Sequence, residues 1–318
     1  MTDMTYDVAI IGAGPAGLTS ALYSHRAGYN IILIGGDTPG GQVIRHYRVD
    51  NYPGFPGGIT GAELMTSWIK QLMDETGSVP VPESVSGVDF SADTKRLVCG
   101  SAHYAARAVI VATGARPRRL GVPGEDKPAG NGVFYCATCD APLLRTMKRR
   151  RAAVVGGGDS AFHTALALLP HADTVTVVSR SHEVRAKPVL VDRFMKDPKA
   201  QILTARSVKA VMGRRNVSGL TLVNVNTNEE ITMPLEAVFI GIGQAPVTDF
   251  LAGALTTDRE GFIVTGGNLN TSVPGVFAAG DVRVSPLRQI ITAAADGALA
   301  AQSAAQYLRT SAVHASSL

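Results

Sequence analysis

Two of the three cysteines in this 318-residue chain lie close together, as Cys136-Ala-Thr-Cys139 followed directly by Asp140. Three cysteines are too few for the disulfide scaffold of a secreted protein, so we expect a cytoplasmic location. In that compartment a C-x-x-C pair is typically redox-active or metal-binding. A thiolate is the nucleophile in disulfide exchange, a second nearby thiol resolves the mixed disulfide, and a neighbouring carboxyl group can carry the proton. Both interpretations remain open at this point.

The metal-binding interpretation has less support. A closed structural zinc site needs four ligands, and only Cys99 and the seven histidines could complete one around the C-x-x-C pair. The segment from Cys99 to His103 does not have the pattern of a second ligand pair. Cys99 also lies in an apolar run that predicts a strand, where a small buried core residue is expected. We therefore predict no bound metal.

A nucleotide-binding pattern begins almost at the N-terminus. The apolar run Tyr6–Ile11 predicts a buried strand, and Gly12, Gly14 and Gly17 form a G-x-G-x-x-G before helical spacing over Leu18–Ala27. Strand, glycine turn and helix are the context of the dinucleotide fingerprint. Its first glycine permits the tight turn, the second lets the backbone approach a pyrophosphate, and the third lets helix and strand pack closely. The start of the helix then binds the anion.

A second copy of this pattern follows the cysteines. The strand predicted at Ala152–Val155 leads into Gly156, Gly158 and Ala161, which form a G-x-G-x-x-A. Alanine is the accepted variant at the third position. A helix and the strand predicted at Thr174–Val178 complete the unit. Two such units predict two bound dinucleotides, as in an oxidoreductase that uses both a flavin and a nicotinamide.

Four further segments can be assigned a local structure. Ala108–Gly114 predicts a strand that ends in a small-residue turn, and Pro117–Gly132 has the Pro, Gly and charge content of a linker. Val276–Val282 predicts another strand, ending in Gly-Asp, and Ile290–Leu308 predicts an Ala-rich helix. Local pattern alone does not assign the last two to either nucleotide unit.

Composition narrows the classes of partner. The net charge of +4 is mildly basic, and the basic runs lack interleaved aromatic residues, so we expect solvated surface or an acidic protein partner and no nucleic acid. No stretch approaches the ~20 apolar residues that span a bilayer, and the N-terminus lacks a secretory signal pattern. The hydrophobic content of 45% and the 34 glycines suit a compact α/β protein.

The order of these motifs resembles the low-molecular-weight thioredoxin reductases from about Tyr6 to Leu308. The resemblance rests on both fingerprints and on Gly40-Gly41-Gln42, Ala112-Thr113-Gly114, Cys136-Ala-Thr-Cys139-Asp140 and Gly280-Asp281. It implies an α/β fold with two Rossmann-like dinucleotide-binding domains, the second inserted into the first. The FAD-binding domain would comprise residues 1–115 and 245–318, and the domain for the pyridine nucleotide and the redox disulfide residues 116–244. The resemblance also implies a homodimer.

The resemblance assigns roles to individual residues. Cys136 and Cys139 would form the redox disulfide, with Asp140 as its acid/base. FAD would contact Gly12, Gly14, Pro15, Ala16, Gly17, Gln42, Asn51, Ala112, Thr113, Gly114, Asp281, Arg288, Gln289 and Ile290. The nicotinamide nucleotide would contact Gly156, Gly158, Ser160, Ala161, Ser179, Arg180 and Arg185.

The largest departure from the family pattern follows the strand at Thr174–Val178. NADPH-using members carry His-Arg-Arg-x-x-x-Arg there to hold the 2′-phosphate, whereas this chain reads Ser-Arg-Ser-His-Glu-Val-Arg over 179–185. Arg180 and Arg185 remain, and Ser181 replaces an arginine. We therefore predict weak or relaxed selectivity, with NADPH slightly ahead of NADH.

Two smaller departures affect the other sites. Many members place an acid at the end of the second strand of the FAD unit to hold the adenosine ribose, but here that position is Gly35, with Asp37 two residues on. After Asp140 the family usually has glycine, and this chain has Ala141-Pro142. We therefore expect a different ribose contact and an altered turn behind the disulfide.

Together these residues predict a flavoprotein disulfide reductase. It would pass electrons from a reduced nicotinamide through FAD and the C-x-x-C disulfide to thioredoxin or a thioredoxin-like protein. One alternative is the same scaffold with another electron donor, such as a ferredoxin. A second is a small-molecule dithiol oxidase that delivers electrons to oxygen. The third is a nucleotide-binding redox sensor whose disulfide forms without turnover.

Overall fold

The structure is a computed structural model that describes residues 5–36, 38–46, 48–127 and 130–315, with side chains up to residue 311. The chain divides into two compact units. Unit 1 comprises Met1–His46, Tyr52–Arg116 and Ala245–Leu318. Unit 2 comprises Tyr47–Asn51 and Pro117–Gln244.

Strands and helices alternate along much of the chain, as expected for an α/β protein. Within the described residues the strands are β1 (Thr5–Ile11), β2 (Ile31–Ile34), β3 (Gly87–Asp89), β4 (Lys95–Cys99), β5 (Ala102–Val111), β6 (Ala115–Pro117), β7 (Val133–Phe134), β8 (Arg151–Val155), β9 (Thr174–Val178), β10 (Ala200–Leu203), β11 (Arg206–Met212), β12 (Gly219–Asn224), β13 (Glu230–Pro234), β14 (Ala237–Ile240), β15 (Gln244–Pro246) and β16 (Val276–Ala278). The α-helices are α1 (Pro15–Arg26), α2 (Gly61–Thr76), α3 (Ala137–Asp140), α4 (Asp159–Leu168), α5 (Pro188–Met195) and α6 (Ile290–Ala315).

Unit 1 is built on a mixed sheet in the order β2-β1-β5-β4-β3, with β16 also paired to β5. β1 runs parallel to β2 and β5, whereas β4 is antiparallel to β5. The apolar strand residues fill the core, and Ile10, Val109 and Ile110 are fully buried. Cys99 is 2% exposed, which confirms that it is a core residue.

The two chain ends meet in unit 1, because α6 packs against α1. Backbones approach closely there: a Cβ at Gly297 would lie 2.2 Å from the carbonyl oxygen of Ala16, and Ser20 Oγ donates to the carbonyl of Gly297 at 3.0 Å. The late segments therefore join the first nucleotide unit, which local pattern could not decide. Among the described helices, none combines the length and apolarity that a membrane span requires.

Unit 2 contains a five-stranded parallel sheet, ordered β10-β9-β8-β14-β7, and a separate antiparallel sheet of β11, β12 and β13. Aromatic pairs anchor its core: the rings of Phe162 and Phe194 meet edge to face, and those of Phe134 and Phe239 are 4.9 Å apart. Each unit thus carries a strand–glycine turn–helix whose strand runs parallel to both of its neighbours in the sheet. The predicted fold class, two Rossmann-like domains with one inserted into the other, is confirmed.

The segment Pro117–Gly132, predicted as a linker, is instead packed onto unit 2 in its described residues. Leu120 and Val122 contact the core of the unit, and Glu125 is only 3% exposed. The Pro, Gly and charge content of the segment predicted a linker. That prediction was wrong because composition alone does not reveal that a charged side chain is buried among hydrogen-bond donors. The described residues of this segment are therefore part of unit 2.

Candidate redox and nucleotide-binding sites

Cys136 and Cys139 form a disulfide with their Cα atoms 5.4 Å apart. β7 ends at Phe134, Tyr135 follows, and Cys136 then caps the short helix α3, its Sγ accepting from the backbone N–H of Cys139 at 3.2 Å. Residues i and i+3 of a helical turn lie on one face, so this turn brings the two sulfur atoms together. Both cysteines are partly exposed, so the disulfide is not sealed inside the core.

Asp140 is the last residue of α3. Burial raises the pKa of its carboxyl group to about 7, against the opposing effect of a backbone hydrogen bond from Cys136. Asp140 does not cap the 3₁₀ helix Ala141–Thr146 with its side chain, so capping does not explain the residue. The departure at Ala141-Pro142 takes a defined form: it begins this 3₁₀ helix, with Ala141 buried. A proton-holding carboxyl group therefore sits beside the disulfide near neutral pH.

The first glycine turn, in unit 1, is sterically closed at two positions and open at one. Gly12 has φ +106°, and a Cβ there would lie 2.4 Å from the carbonyl oxygen of Ala112. A Cβ at Gly17 would lie 1.7 Å from the carbonyl oxygen of Gly12. At Gly14 the nearest neighbour would be Gly41 Cα at 3.9 Å. The tight turn and the close packing thus require glycine, and the middle position leaves room for a ligand to approach the backbone.

Several of the residues assigned to FAD surround this turn. Pro15 and Ala16 begin α1, and a Cβ at Gly280 would lie 2.9 Å from Ala16 Cβ. The Gly40 N–H donates to the carbonyl of Ala13 at 2.8 Å, which places the loop before Gln42 at the turn. The small-residue turn Ala112-Thr113-Gly114 follows β5. Within it, Thr113 Oγ1 donates to the carbonyl of Val247 at 2.7 Å, and Gly114 has φ +72°.

Asp281 and Arg288 are the charged residues of this group. Burial raises the pKa of the Asp281 carboxyl group to about 6, with Arg288 opposing and Asp296 adding to the shift. The Arg288 guanidinium lies 4.1 Å from the centre of the Phe262 ring, and its buried Nε has no partner among the described atoms. Gln289 and Ile290 stand at the start of α6, as predicted. An unpartnered buried donor at this position suits a polar ligand.

Two FAD-related positions differ in placement from the rest. Asn51 belongs to the short segment that groups with unit 2, whereas the first glycine turn lies in unit 1. Gly35 follows β2, and a Cβ there would lie 3.1 Å from Ala13 Cβ. The end of this strand therefore has no side chain in the position where many family members hold the ribose with an acid. The prediction about Asp37 falls outside the described residues.

The second glycine turn, in unit 2, is closed at its first position only. Gly156 has φ +145°, and a Cβ there would lie 2.4 Å from the carbonyl oxygen of Gly241. A Cβ at Gly158 would meet no atom within 4 Å, and Ala161 is fully buried at the third position. Ser160, in the first turn of α4, is exposed. The turn has the fingerprint geometry, and its third position accommodates the side chain of an alanine.

The cationic segment after β9 lies against this turn. Ser179 is 3% exposed, and its Oγ accepts from the Ser181 N–H at 3.3 Å. The Arg185 N–H donates to the Gly157 carbonyl at 2.6 Å. The side chains of Arg180 and Arg185 are exposed and make no hydrogen bond or ion pair within the part of the chain that the structure describes. Two free guanidinium groups are thus available to an anion.

The sequence interpretation missed one feature of this site. Asp159, the first residue of α4, accepts from the Lys187 N–H at 2.8 Å, and Lys187 Nζ lies 3.6 Å from its other oxygen. An acid at a helix start that is to receive a pyrophosphate is unfavourable, and the lysine offsets its charge. The adjacency of Asp159 to the fingerprint was a signal for this pairing, but its partner is 28 residues away.

Comparison with known proteins agrees with this geometry. The family model described as pyridine nucleotide-disulphide oxidoreductase matches residues 6–297. A thioredoxin reductase of Listeria monocytogenes is 44% identical over 95% of this chain and 94% of its own length. The crystal structure of a thioredoxin reductase from Streptococcus pyogenes superposes with a TM-score of 0.89 at 39% identity, covering 97% of this chain and 100% of that one.

A more distant structure leads to the same family. The thioredoxin reductase from Giardia duodenalis has a TM-score of 0.88 at 32% identity, over 96% of this chain and 100% of its own. Fold, disulfide and both fingerprints are thus accompanied by similarity over nearly the full length of the chain. The chain belongs to the pyridine nucleotide-disulphide oxidoreductase family and, within it, to the low-molecular-weight thioredoxin reductases, which are flavoprotein disulfide reductases.

Proposed function

We propose that this protein reduces the disulfide of thioredoxin or a thioredoxin-like protein, with a reduced nicotinamide as electron donor. The observation that carries the proposal is a shared sheet edge in unit 2. β7, β8, β9 and β14 are parallel, so their carboxyl ends lie at one edge. Cys136 follows β7, the second glycine turn follows β8 and Arg180 follows β9. Ligands of open α/β sheets bind at this edge.

The residues of unit 1 suit FAD. Gly12 and Gly17 close the turn sterically, Gly14 leaves the backbone approachable, and Arg288 offers an unpartnered buried donor. A pyrophosphate would lie at the start of α1, with Asp281 at the ribityl or phosphate region and Gln289 near the flavin ring. When bound, FAD supplies the two-electron chemistry that connects nicotinamide and disulfide.

Asp140 is proposed as the proton donor of the disulfide. Reduction of Cys136–Cys139 to two thiols takes up two electrons and two protons. With a pKa of about 7, the Asp140 carboxyl group is substantially protonated near neutral pH. It can therefore protonate a departing thiolate, and it can take the proton back when a thiol attacks a partner disulfide.

Arg180 and Arg185 are proposed to favour NADPH over NADH. An arginine fork pairs well with a phosphate, and one charge-assisted contact contributes about 1.5–3 kcal/mol, or roughly tenfold to a hundredfold in affinity. Both guanidinium groups are exposed and free of described partners. Because Ser181 stands where a third arginine would, the preference is expected to be modest.

A homodimer and a cytoplasmic location complete the proposal. The dimer is supported by the family to which the chain belongs. The location is supported by the low number of cysteines, of which Cys99 is free and buried. Light scattering on the purified protein measures the first directly.

Anaerobic titration tests the proposal. Purified protein should be yellow, and NADPH should bleach its flavin absorbance at lower concentration than NADH. Addition of oxidised thioredoxin should then restore the absorbance. If neither nucleotide bleaches the flavin, the donor is a different molecule, such as a ferredoxin. If oxygen but no thioredoxin restores the colour, the dithiol oxidase alternative is correct.

A further inference from the structure

Unit 2 contains a buried carboxylate that the proposed chemistry does not use. Glu125 is 3% exposed and accepts from the N–H of Leu120 at 3.0 Å and of Gly121 at 2.8 Å. The hydroxyl of Tyr135 donates to it at 2.7 Å, and Arg119 Nε lies 3.7 Å away. Burial alone would raise the pKa of Glu125, but these donors outweigh it and hold the pKa below its usual value. The group is therefore a buried, fully partnered anion.

The hydroxyl partner of Glu125 precedes the redox disulfide directly. β7 has only two residues, Val133 and Phe134, and among the described strands of the parallel sheet it lies at the edge, where it pairs with β14. Phe134 packs on Phe239. The next residue, Tyr135, packs against a hydrophobic cluster that includes Val211, Leu220 and Val238, and it makes the hydrogen bond to Glu125. A two-residue edge strand is a weak anchor, so these two side chains hold the chain where it enters Cys136.

We propose that Glu125 is a positioning residue for the redox disulfide. Through the Tyr135 hydroxyl it fixes the chain before Cys136, so that the Cys136 thiol is held at a high effective concentration toward Cys139. Disulfide stability depends on that effective concentration. Loss of the hydrogen bond should therefore favour the dithiol form by about 2- to 10-fold, the usual worth of one such bond.

The equilibrium with dithiothreitol tests this directly. In the exchange, dithiothreitol gives two electrons and two protons to the Cys136–Cys139 disulfide and closes to its own cyclic disulfide. The flavin-loaded protein is equilibrated in buffers of reduced and oxidised dithiothreitol, and the remaining thiols are alkylated and counted by mass spectrometry. Tyr135→Phe keeps the ring and removes only the hydroxyl. Tyr104→Phe is the matched control, because its hydroxyl also faces a glutamate, Glu83, at 3.5 Å but in unit 1.

The expected result is a midpoint shift in Tyr135→Phe toward easier reduction, up to about 30 mV for a tenfold change. Tyr104→Phe should match the wild type. Glu125→Gln should shift the midpoint in the same direction as Tyr135→Phe, since it removes the charge that attracts the hydroxyl. Flavin content and circular dichroism show that each variant is folded. Equal midpoints in folded Tyr135→Phe and the wild type would overturn the proposal, as would an equal shift in the control.

This inference rests on the proposed function only in the claim that the disulfide passes electrons to thioredoxin. The equilibrium measurement needs no thioredoxin and no nicotinamide. A wild-type protein that fails to reduce thioredoxin would refute the proposed function and leave the positioning result intact. A normal turnover with an unshifted Tyr135→Phe midpoint would refute the positioning role alone.

Discussion

The two glycine turns have the same pattern but different surroundings. In unit 1 a Cβ at Gly17 would lie 1.7 Å from the Gly12 carbonyl oxygen, whereas unit 2 accommodates the real Cβ of Ala161 at the matching position. The first turn is enclosed by backbone, with Gly297 of α6 packed on the carbonyl of Ala16. The second is bordered by polar contacts, such as the pair of Asp159 and Lys187.

This difference matches two kinds of ligand. A turn enclosed by close backbone contacts suits a cofactor that stays bound, because little side-chain rearrangement is available to release it. A turn bordered by exposed cations, including Arg180 and Arg185, suits a substrate that binds and leaves each cycle. These surroundings support the proposal that unit 1 holds FAD and that unit 2 binds the nicotinamide nucleotide and carries the redox disulfide.

Exchanging glycine and alanine at the third position of each turn should produce the largest difference in stability cost between the two units. Gly17→Ala places a Cβ into the Gly12 carbonyl and should cost at least about 3 kcal/mol, with loss of flavin. Ala161→Gly removes one buried methyl group and should cost about 1–2 kcal/mol, with flavin retained. Urea unfolding and flavin absorbance measure both. Equal costs would show that the two turns do not differ in tightness.

Asp140→Asn tests whether Asp140, in unit 2, transfers the proton without affecting the flavin. Thioredoxin reduction should fall by roughly 100-fold, while flavin content stays unchanged. In the wild type the rate of disulfide reduction should fall as pH rises through about 7, where the carboxyl group loses its proton. The variant should lack this inflection. An unchanged pH profile would remove Asp140 from the mechanism.

The same residue makes a prediction about stability. The pKa of Asp140 in the folded protein, about 7, is above its ordinary value of 3.8, so the folded state holds the proton more tightly than the unfolded state. Asp140 therefore lowers stability progressively as pH rises from about 4 to 7. Above pH 7 Asp140→Asn should be more stable than the wild type in urea unfolding, and a less stable variant would contradict the assigned pKa.

Arg180→Ala tests the open side of unit 2 and should have the smallest functional effect. Loss of one exposed phosphate contact should lower kcat/KM for NADPH by about tenfold or somewhat more and leave the value for NADH nearly unchanged. Arg214→Ala is a suitable control, since Arg214 is exposed on the loop after β11. Strong NADPH selectivity that survives in Arg180→Ala would show that the 2′-phosphate is bound elsewhere.

Much of the architecture was predictable because it depends on local pattern. The strand at Thr174–Val178 has the predicted bounds, and the positive φ of Gly12 and Gly156 follows from the tight turn of each fingerprint. The C-x-x-C spacing accounts for the Cys136–Cys139 bond, because one helical turn brings the two side chains together. Such features need only neighbours in sequence.

What the sequence interpretation missed depends on distant contacts. Glu125 lies in a segment with the composition of a linker, and only the fold brings it to Tyr135, ten residues on. From the sequence Lys187 has no feature that distinguishes it from other surface cations, and only the fold brings it into contact with Asp159. The raised pKa of Asp140 likewise comes from burial, which residue type alone does not reveal.

Thioredoxin reduction by single cysteine variants is the most direct test of the central claim that Cys136 and Cys139 relay electrons to a protein disulfide. Wild-type protein with NADPH should reduce thioredoxin. Cys136→Ser and Cys139→Ser should each lose that activity completely while they keep bound flavin and its reduction by an artificial donor. Full thioredoxin reduction by either variant would contradict the account, because a relay through this disulfide requires both sulfur atoms.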